Sequence, residues 1–143
     1  MTRVVFLHDV NDRLRAAASW LNLPRARNVG VAVFVPNQQH AERLDRLLWE
    51  QSPTSFTPHC AQESALSSQT PIIICSVAQA LWPHETVLNL SDEIPPHLEH
   101  ISELVEIVSL DSATVAAGRT RYTSYKKNGL SIEARNAAQE LSS

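Results

Sequence analysis

Four apolar residues stand together at Val4–Leu7 (VVFL), and Val29–Val35 (VGVAVFV) forms a second run with no polar side chain in it. A strand with one wet face alternates apolar and polar residues. An unbroken run is expected of a strand covered on both faces, as in a parallel sheet sandwiched between helices. The segments between these runs supply the helices. Asn11 or Asp12 can cap a helix whose apolar positions Leu14, Ala17, Ala18 and Leu21 follow the i, i+3, i+4, i+7 stripe, and Pro24 stops it. Pro36-Asn37 opens another, with Asn37 as cap and a stripe at Ala41, Leu44 and Leu48. The opening half therefore reads β-α-β-α, with its two strands parallel and joined by a right-handed crossover.

After Trp49 the pattern breaks. Glu50 to Thr70 is rich in serine, proline, glutamine and threonine and reads as an ordered surface excursion. Pro71-IIIC-Ser76 is a third strand, Thr86–Leu90 a fourth and Leu104–Val108 a fifth, with Pro95-Pro96 between the last two. Asp111 is a good N-cap for a helix to about Asn128, with Gly129 at the left-handed position beyond it. The last residues thin into alanine, glutamine and serine and are expected to fray. With 143 residues and no internal repeat, the chain predicts a single domain over 1–143. Its fold class is three-layer α/β/α, a Rossmann-like, mostly parallel sheet of about five strands.

Composition narrows the chemistry. The chain has only 3 glycines, Gly30, Gly118 and Gly129, too far apart for any phosphate-cradling loop. No nucleotide site and no cofactor is expected. No apolar run approaches the roughly 20 residues of a membrane span. MTRVVFLHDV lacks the pattern of a signal peptide, and the two cysteines, Cys60 and Cys75, form no CxxC. The expected compartment is the cytoplasm. Net charge is −3, yet from Val115 to Gly129 every charged residue is basic: Arg119, Arg121, Lys126 and Lys127. A local basic face on an acidic body suits an acidic peptide or a phosphate better than broad nucleic-acid binding, which usually comes with a basic domain.

Open α/β sheets place ligands at the C-terminal ends of their strands, so His8 and Asp9, after the first strand, are an acid–base candidate. The plainer reading is a strand end starting a loop, which is preferred because no glycine-lined pocket accompanies them. A receiver domain would need a carboxylate and a lysine where this chain has Cys75-Ser76 and Ser109-Leu110, which excludes it. His97 and His100 have a local ligand spacing but no second pair, so no metal is expected. His59-Cys60 lacks an orienting partner, and a packed cysteine is the better reading.

Two surfaces remain. Trp49 lies about 100° round its helix from Leu48, at the edge of the buried stripe or beyond it. With Phe56 and Pro58 in the excursion that follows, it forms an exposed apolar patch, or else the excursion folds back and covers it. On the last helix, Val115, Arg119, Tyr122 and Lys126 share one face, with Arg121 and Tyr125 on adjoining faces. An aromatic flanked by cations, beside an aliphatic side chain, could receive an acidic peptide ending in an apolar residue. The alternative is a core Tyr122 with solvated arginines.

The run Arg43-Leu-Asp-Arg-Leu-Leu-Trp49, then Ser55-Phe56-Thr57-Pro58-His59, resembles the chi subunit of bacterial DNA polymerase III. Arg119-Thr-Arg-Tyr122-Thr-Ser-Tyr125-Lys126 with Gly129 resembles that family's R-x-R-Y-x-x-Y-[RK] helix. The resemblance implies a non-enzymatic replication adaptor, monomeric within a hetero-complex and touching DNA only indirectly. One partner would be the acidic, phenylalanine-terminated tail of single-stranded DNA-binding protein, held by Val115, Arg119, Arg121, Tyr122 and Lys126. The other would be the psi subunit of the clamp loader, held by Trp49, Phe56 and Pro58. Whether a repair helicase competes for the Trp49 surface is left open by the sequence. Thr123 and Val115 stand at positions often basic in the family, which implies weaker tail binding unless Arg121, Lys126 and Lys127 substitute. Two other readings stand beside this one: a small α/β enzyme using His8 and Asp9, and a direct nucleic-acid binder through the basic helix.

Overall fold

The computed structural model describes residues 2–23, 29–51, 59–61, 72–75, 84–95 and 98–137, with the backbone alone for Trp49, Gln51 and 59–61. Its strands are β1 (Arg3–Val10), β2 (Val31–Phe34), β3 (His59–Ala61), β4 (Ile72–Cys75), β5 (Thr86–Asn89), β6 (Glu103–Ser109) and β7 (Ser131–Asn136). Its α-helices are α1 (Arg13–Leu21), α2 (Gln38–Gln51) and α3 (Ser112–Lys127), with a short 3₁₀ turn at Leu98–His100. The strands form one seven-stranded sheet in the order β3-β4-β2-β5-β6-β1-β7. Each adjacent pair is parallel.

The unbroken apolar runs are buried on both faces, as expected. Along β1 and β2, Val5, Leu7, Val31 and Val33 belong to the core beneath α1 and α2. Val4, Phe6, Ala32 and Phe34 belong to the opposite core, which Tyr125 of α3 joins. The fold is therefore three-layered, with α1 and α2 on one side and α3 on the other. Burial of the valine, leucine and phenylalanine side chains among them contributes roughly 1.5–3 kcal/mol each.

Local chemistry fixes the helix starts. The Asp12 carboxylate accepts from the backbone N–H groups of Leu14 and Arg15, the Asn37 amide oxygen from that of His40, and Asp111 from that of Thr114. At the far end of α3, Gly129 has φ +77° and the Leu130 N–H bonds to the Tyr125 carbonyl, a left-handed stop. Gly30 is not inside a strand: it takes φ +79° just before β2.

The sheet holds two more strands than the roughly five expected, and both additions are at its edges. β3 lies inside the stretch read as a surface excursion; its three residues carry no apolar run. β7 continues the chain directly after α3, in a stretch to which the sequence pattern assigns no element and just before the final residues expected to fray. It escaped notice because its side chains are mostly exposed or half-buried. The remaining terminal residues, 138–143, lie outside the described set, as do Pro24, Pro71 and Pro96. β1 and β2 are parallel but not neighbours, since β5 and β6 pair between them. Among the described residues no helix is long and apolar enough to cross a membrane.

Candidate functional site

The basic helix splits its charged residues between two environments. Arg119 and Lys126 are exposed and Val115 is half-buried, whereas Arg121 is only 1% exposed. Arg121 lies about 200° round the helix from Arg119, close to Tyr125 and Gly118 on the face that meets the sheet. Its Nε donates to the Glu106 carboxylate at 3.1 Å; the Tyr125 hydroxyl donates to the same oxygen at 2.6 Å. The Asn89 amide donates to both Glu106 oxygens, at 3.0 and 3.2 Å. Arg121 therefore leaves the set of surface residues: a charged group in the middle of a doubly covered strand requires a buried counter-charge, and Arg121 is it. Burial pushes the Glu106 carboxyl up, opposed by Arg121 and the other donors. Burial and the neighbouring carboxylate push the Tyr125 hydroxyl up as well, so it remains a donor. The signal was present in the sequence as Glu106, the one charge within LVEIV.

With Arg121 and Tyr125 turned inward, the outward residues form a depression against the end of β1. Phe6, His8, Val108, Val115, Arg119 and Tyr122 line it, around a volume of about 160 Å³. Tyr122 is 40% exposed and is not a core tyrosine. Its ring packs at 60° to that of Phe6, with centroids 5.6 Å apart, a tilted aromatic pair. Gly118 sits in the floor. A Cβ there would lie 3.0 Å from Val108 Cγ2, so the missing side chain lets α3 approach β6 and keeps the depression open. The site can bury an apolar side chain and offer a guanidinium at its rim. Lys126 and Lys127 occupy the last turn of α3, where cations also favour the helix dipole.

A larger crevice of about 530 Å³ lies at the C-terminal ends of β1, β2, β5 and β6, where α/β sheets usually take ligands. Several of its polar groups are already committed. Asp12, Asn37 and Asp111 cap helices, and Arg43 pairs with Asp12. Arg13, which composition and periodicity did not single out, donates to the carbonyls of Asn89, Ser91 and Ile107 and ties β5 to β6. Three aspartates, Asp12, Asp92 and Asp111, line this crevice, a poor setting for a phosphate.

The other candidates are dispersed. His8 and Asp9 are bonded to each other, Nδ1 to Oδ2 at 2.7 Å, with Asp9 at φ +64°. His8 faces the depression and not the crevice. His100 stands 3.8 Å from Glu99; among the described residues no group of three ligating side chains could hold a metal. Cys75 is buried in the core, its thiol 3.9 Å from the Ile73 carbonyl oxygen. The side chains of Trp49, His59 and Cys60, and all of Phe56, Pro58 and His97, lie outside the described residues.

A parallel α/β sheet whose sequence has no glycine-rich phosphate loop, carrying an aromatic depression with a basic rim, defines a Rossmann-like domain. Its fold is shared with domains of DEAD-box proteins. The C-terminal domain of Saccharomyces cerevisiae Dbp5, in a complex with Gle1 and IP6, superposes with a TM-score of 0.64 at 10% identity, covering 100% of both chains. Escherichia coli SrmB, bound to the regulator RraA, gives 0.53 at 11% identity, covering 98% of this chain and 94% of that one. The family is set by sequence. Residues 1–133 match the model of the DNA polymerase III chi subunit, HolC, and the chain belongs to that family. The DNA polymerase III subunit chi of Haemophilus influenzae is 26% identical over 107 residues, 74% of each chain. Family membership makes this an accessory subunit of a replicative polymerase, as the motif resemblance implied.

Proposed function

We propose that the chain is a non-catalytic adaptor joining the polymerase III clamp loader to coated single-stranded DNA. On this reading the depression between α3 and β1 holds the acidic, phenylalanine-terminated tail of single-stranded DNA-binding protein. Tyr122, Phe6, Val108 and Val115 take the terminal ring, Arg119 pairs with carboxylate and Lys126 adds positive potential. The psi subunit takes a separate surface centred on Trp49, Phe56 and Pro58. The observation that carries the reading is an exposed aromatic, Tyr122, set against Phe6 beside the exposed Arg119 of α3, on a chain of net charge −3. An apolar pocket with a cation at its rim is complementary to an acidic peptide ending in an aromatic residue.

Fluorescence anisotropy with a labelled acidic peptide ending in Pro-Phe tests it. Binding is expected at low salt and weakens as salt screens the rim charges. Arg119→Ala is expected to cost about 1–3 kcal/mol, the value of a hydrogen bond to a charged group. Trp49→Ala leaves the peptide affinity unchanged and reduces co-purification with psi. No peptide binding at low salt removes the tail assignment; loss of both partners from either single change removes the division into two surfaces.

A further inference from the structure

The depression has a second polar residue at its rim, and this one comes from the sheet. Val4, Phe6 and His8 alternate onto the α3 face of β1, so His8 follows directly after the ring that packs on Tyr122. At the next residue the strand stops running straight. Asp9 takes φ +64°, a left-handed conformation uncommon outside glycine and better tolerated by aspartate than by most side chains. The turn brings the Asp9 carboxylate back onto its own neighbour, Oδ2 lying 2.7 Å from His8 Nδ1. The Asn136 amide of β7, in register with His8, donates to the same oxygen at 3.2 Å. Local strain and a cross-strand bond thus hold one imidazole in one orientation at the mouth of a pocket.

That orientation has a chemical consequence. A carboxylate only accepts, so the proton on a neutral His8 is on Nδ1, and Nε2 is left as an acceptor. Nε2 can donate to an incoming carboxylate only when the ring takes up a second proton. We propose that His8 is a proton-dependent anchor for the terminal carboxylate of the bound peptide, acting across the depression from Arg119. The inference rests on the tail-binding reading above and adds to it a residue and a linked proton. The peptide carboxylate accepts from the Nε2–H of the doubly protonated ring, so binding favours the imidazolium, while Asp9 balances its charge.

The surrounding groups leave this role to His8. Among the described residues, Arg119 and Tyr122 reach the depression from α3, and β6 brings Val108. β7 presents the uncharged Asn136, its Glu133 and Arg135 alternating to the other side of the strand and pairing with each other. Asp9 is the one carboxylate in contact with the ring among the described residues.

The test is anisotropy at fixed low salt with two peptides, one ending in a free carboxylate and one in an amide. Titrations are run at about pH 6 and about pH 8, on either side of the range where imidazoles change charge. The wild-type chain is expected to bind the free acid about three- to fivefold more tightly at the lower pH, a typical gain for a partly exposed ion pair. The amide peptide shows no such difference. His8→Gln, which offers a donor that does not titrate, flattens the profile for the free acid; circular dichroism verifies its fold. A pH dependence that survives His8→Gln, or that the amide peptide shares, overturns the inference while leaving the tail site standing. No binding of either peptide by the wild-type chain overturns the tail reading and this inference with it.

Discussion

Glu106 sits at 0% exposure in the middle of the sheet and Arg121 at 1%, so replacing Glu106 by glutamine isolates what that buried charge does. The change keeps the shape of the side chain, and its amide oxygen can still accept from Tyr125 and Asn89. What it removes is the counter-charge of Arg121, whose Nε bond to Glu106 is 3.1 Å long. The two terminal nitrogens of Arg121 are buried and have no other partner among the described residues to compensate. Breaking a buried pair from one side costs about 3–5 kcal/mol, because the remaining ion is uncompensated. That is a large part of the roughly 5–15 kcal/mol by which a domain is stable. At about 2–4 °C per kcal/mol, the melting temperature falls by about 6–20 °C. In urea, with a slope of about 2 kcal/mol/M, the midpoint falls by about 2 M. The second arm removes both charges: Glu106→Gln with Arg121→Met recovers most of the loss, since a buried pair replaced as a unit is often close to neutral. Equilibrium urea unfolding followed by circular dichroism, run on both single variants and the double, gives the free energies and midpoints, and thermal melts give the melting temperatures. A loss below about 1 kcal/mol for Glu106→Gln, or a double variant as unstable as the sum of the singles, refutes the reasoning.

Further outcomes follow from the geometry around α3. Gly118→Leu drives a side chain into Val108 and the depression, so it is expected to lower stability by about 1–3 kcal/mol and abolish peptide binding, checked by thermal melts and anisotropy. Gly129→Ala places a Cβ at φ +77° and costs about 1–2 kcal/mol in urea unfolding, with peptide affinity unchanged. The hydrogen bonds of Ser109 and Thr114 hold the Asp111 carboxyl down, from 3.8 to about 2. A depressed pKa stabilises the folded state above the unfolded value, so this contribution is present near neutrality and is lost as pH falls from about 4 towards about 2. Asp111→Asn is expected to remove that part of the acid dependence, read as a shallower fall of the melting temperature over the same range.

How much was legible depended on where the determining contacts lie. α1, α2 and α3 could be placed because each start is a contact between residues two or three apart, such as Asp12 with Leu14 and Arg15. β1, β2 and β4 could be placed because burial on both faces leaves no polar position in the run. β7 follows neither rule. It is an edge strand, held by backbone pairing to β1, and such pairing asks little of its side chains. The candidate site divides in the same way. The spacing of Val115, Arg119, Tyr122 and Lys126 gave the shared face, but the wall opposite, Phe6 and His8, comes from the other end of the chain.

The sequence by itself determined the class of fold, the absence of glycine-rich loops and the basic character of the last helix. It also carried the motifs that place the chain in the chi family. Only the tertiary structure decided strand order, since parallel pairing is set by which buried surfaces meet and not by their order along the chain. The same holds for the two arginines of one motif, Arg119 at the surface and Arg121 inside. Both are cations two residues apart on one helix, and what separates them is Glu106, a buried charge 15 residues away that only one of them can reach.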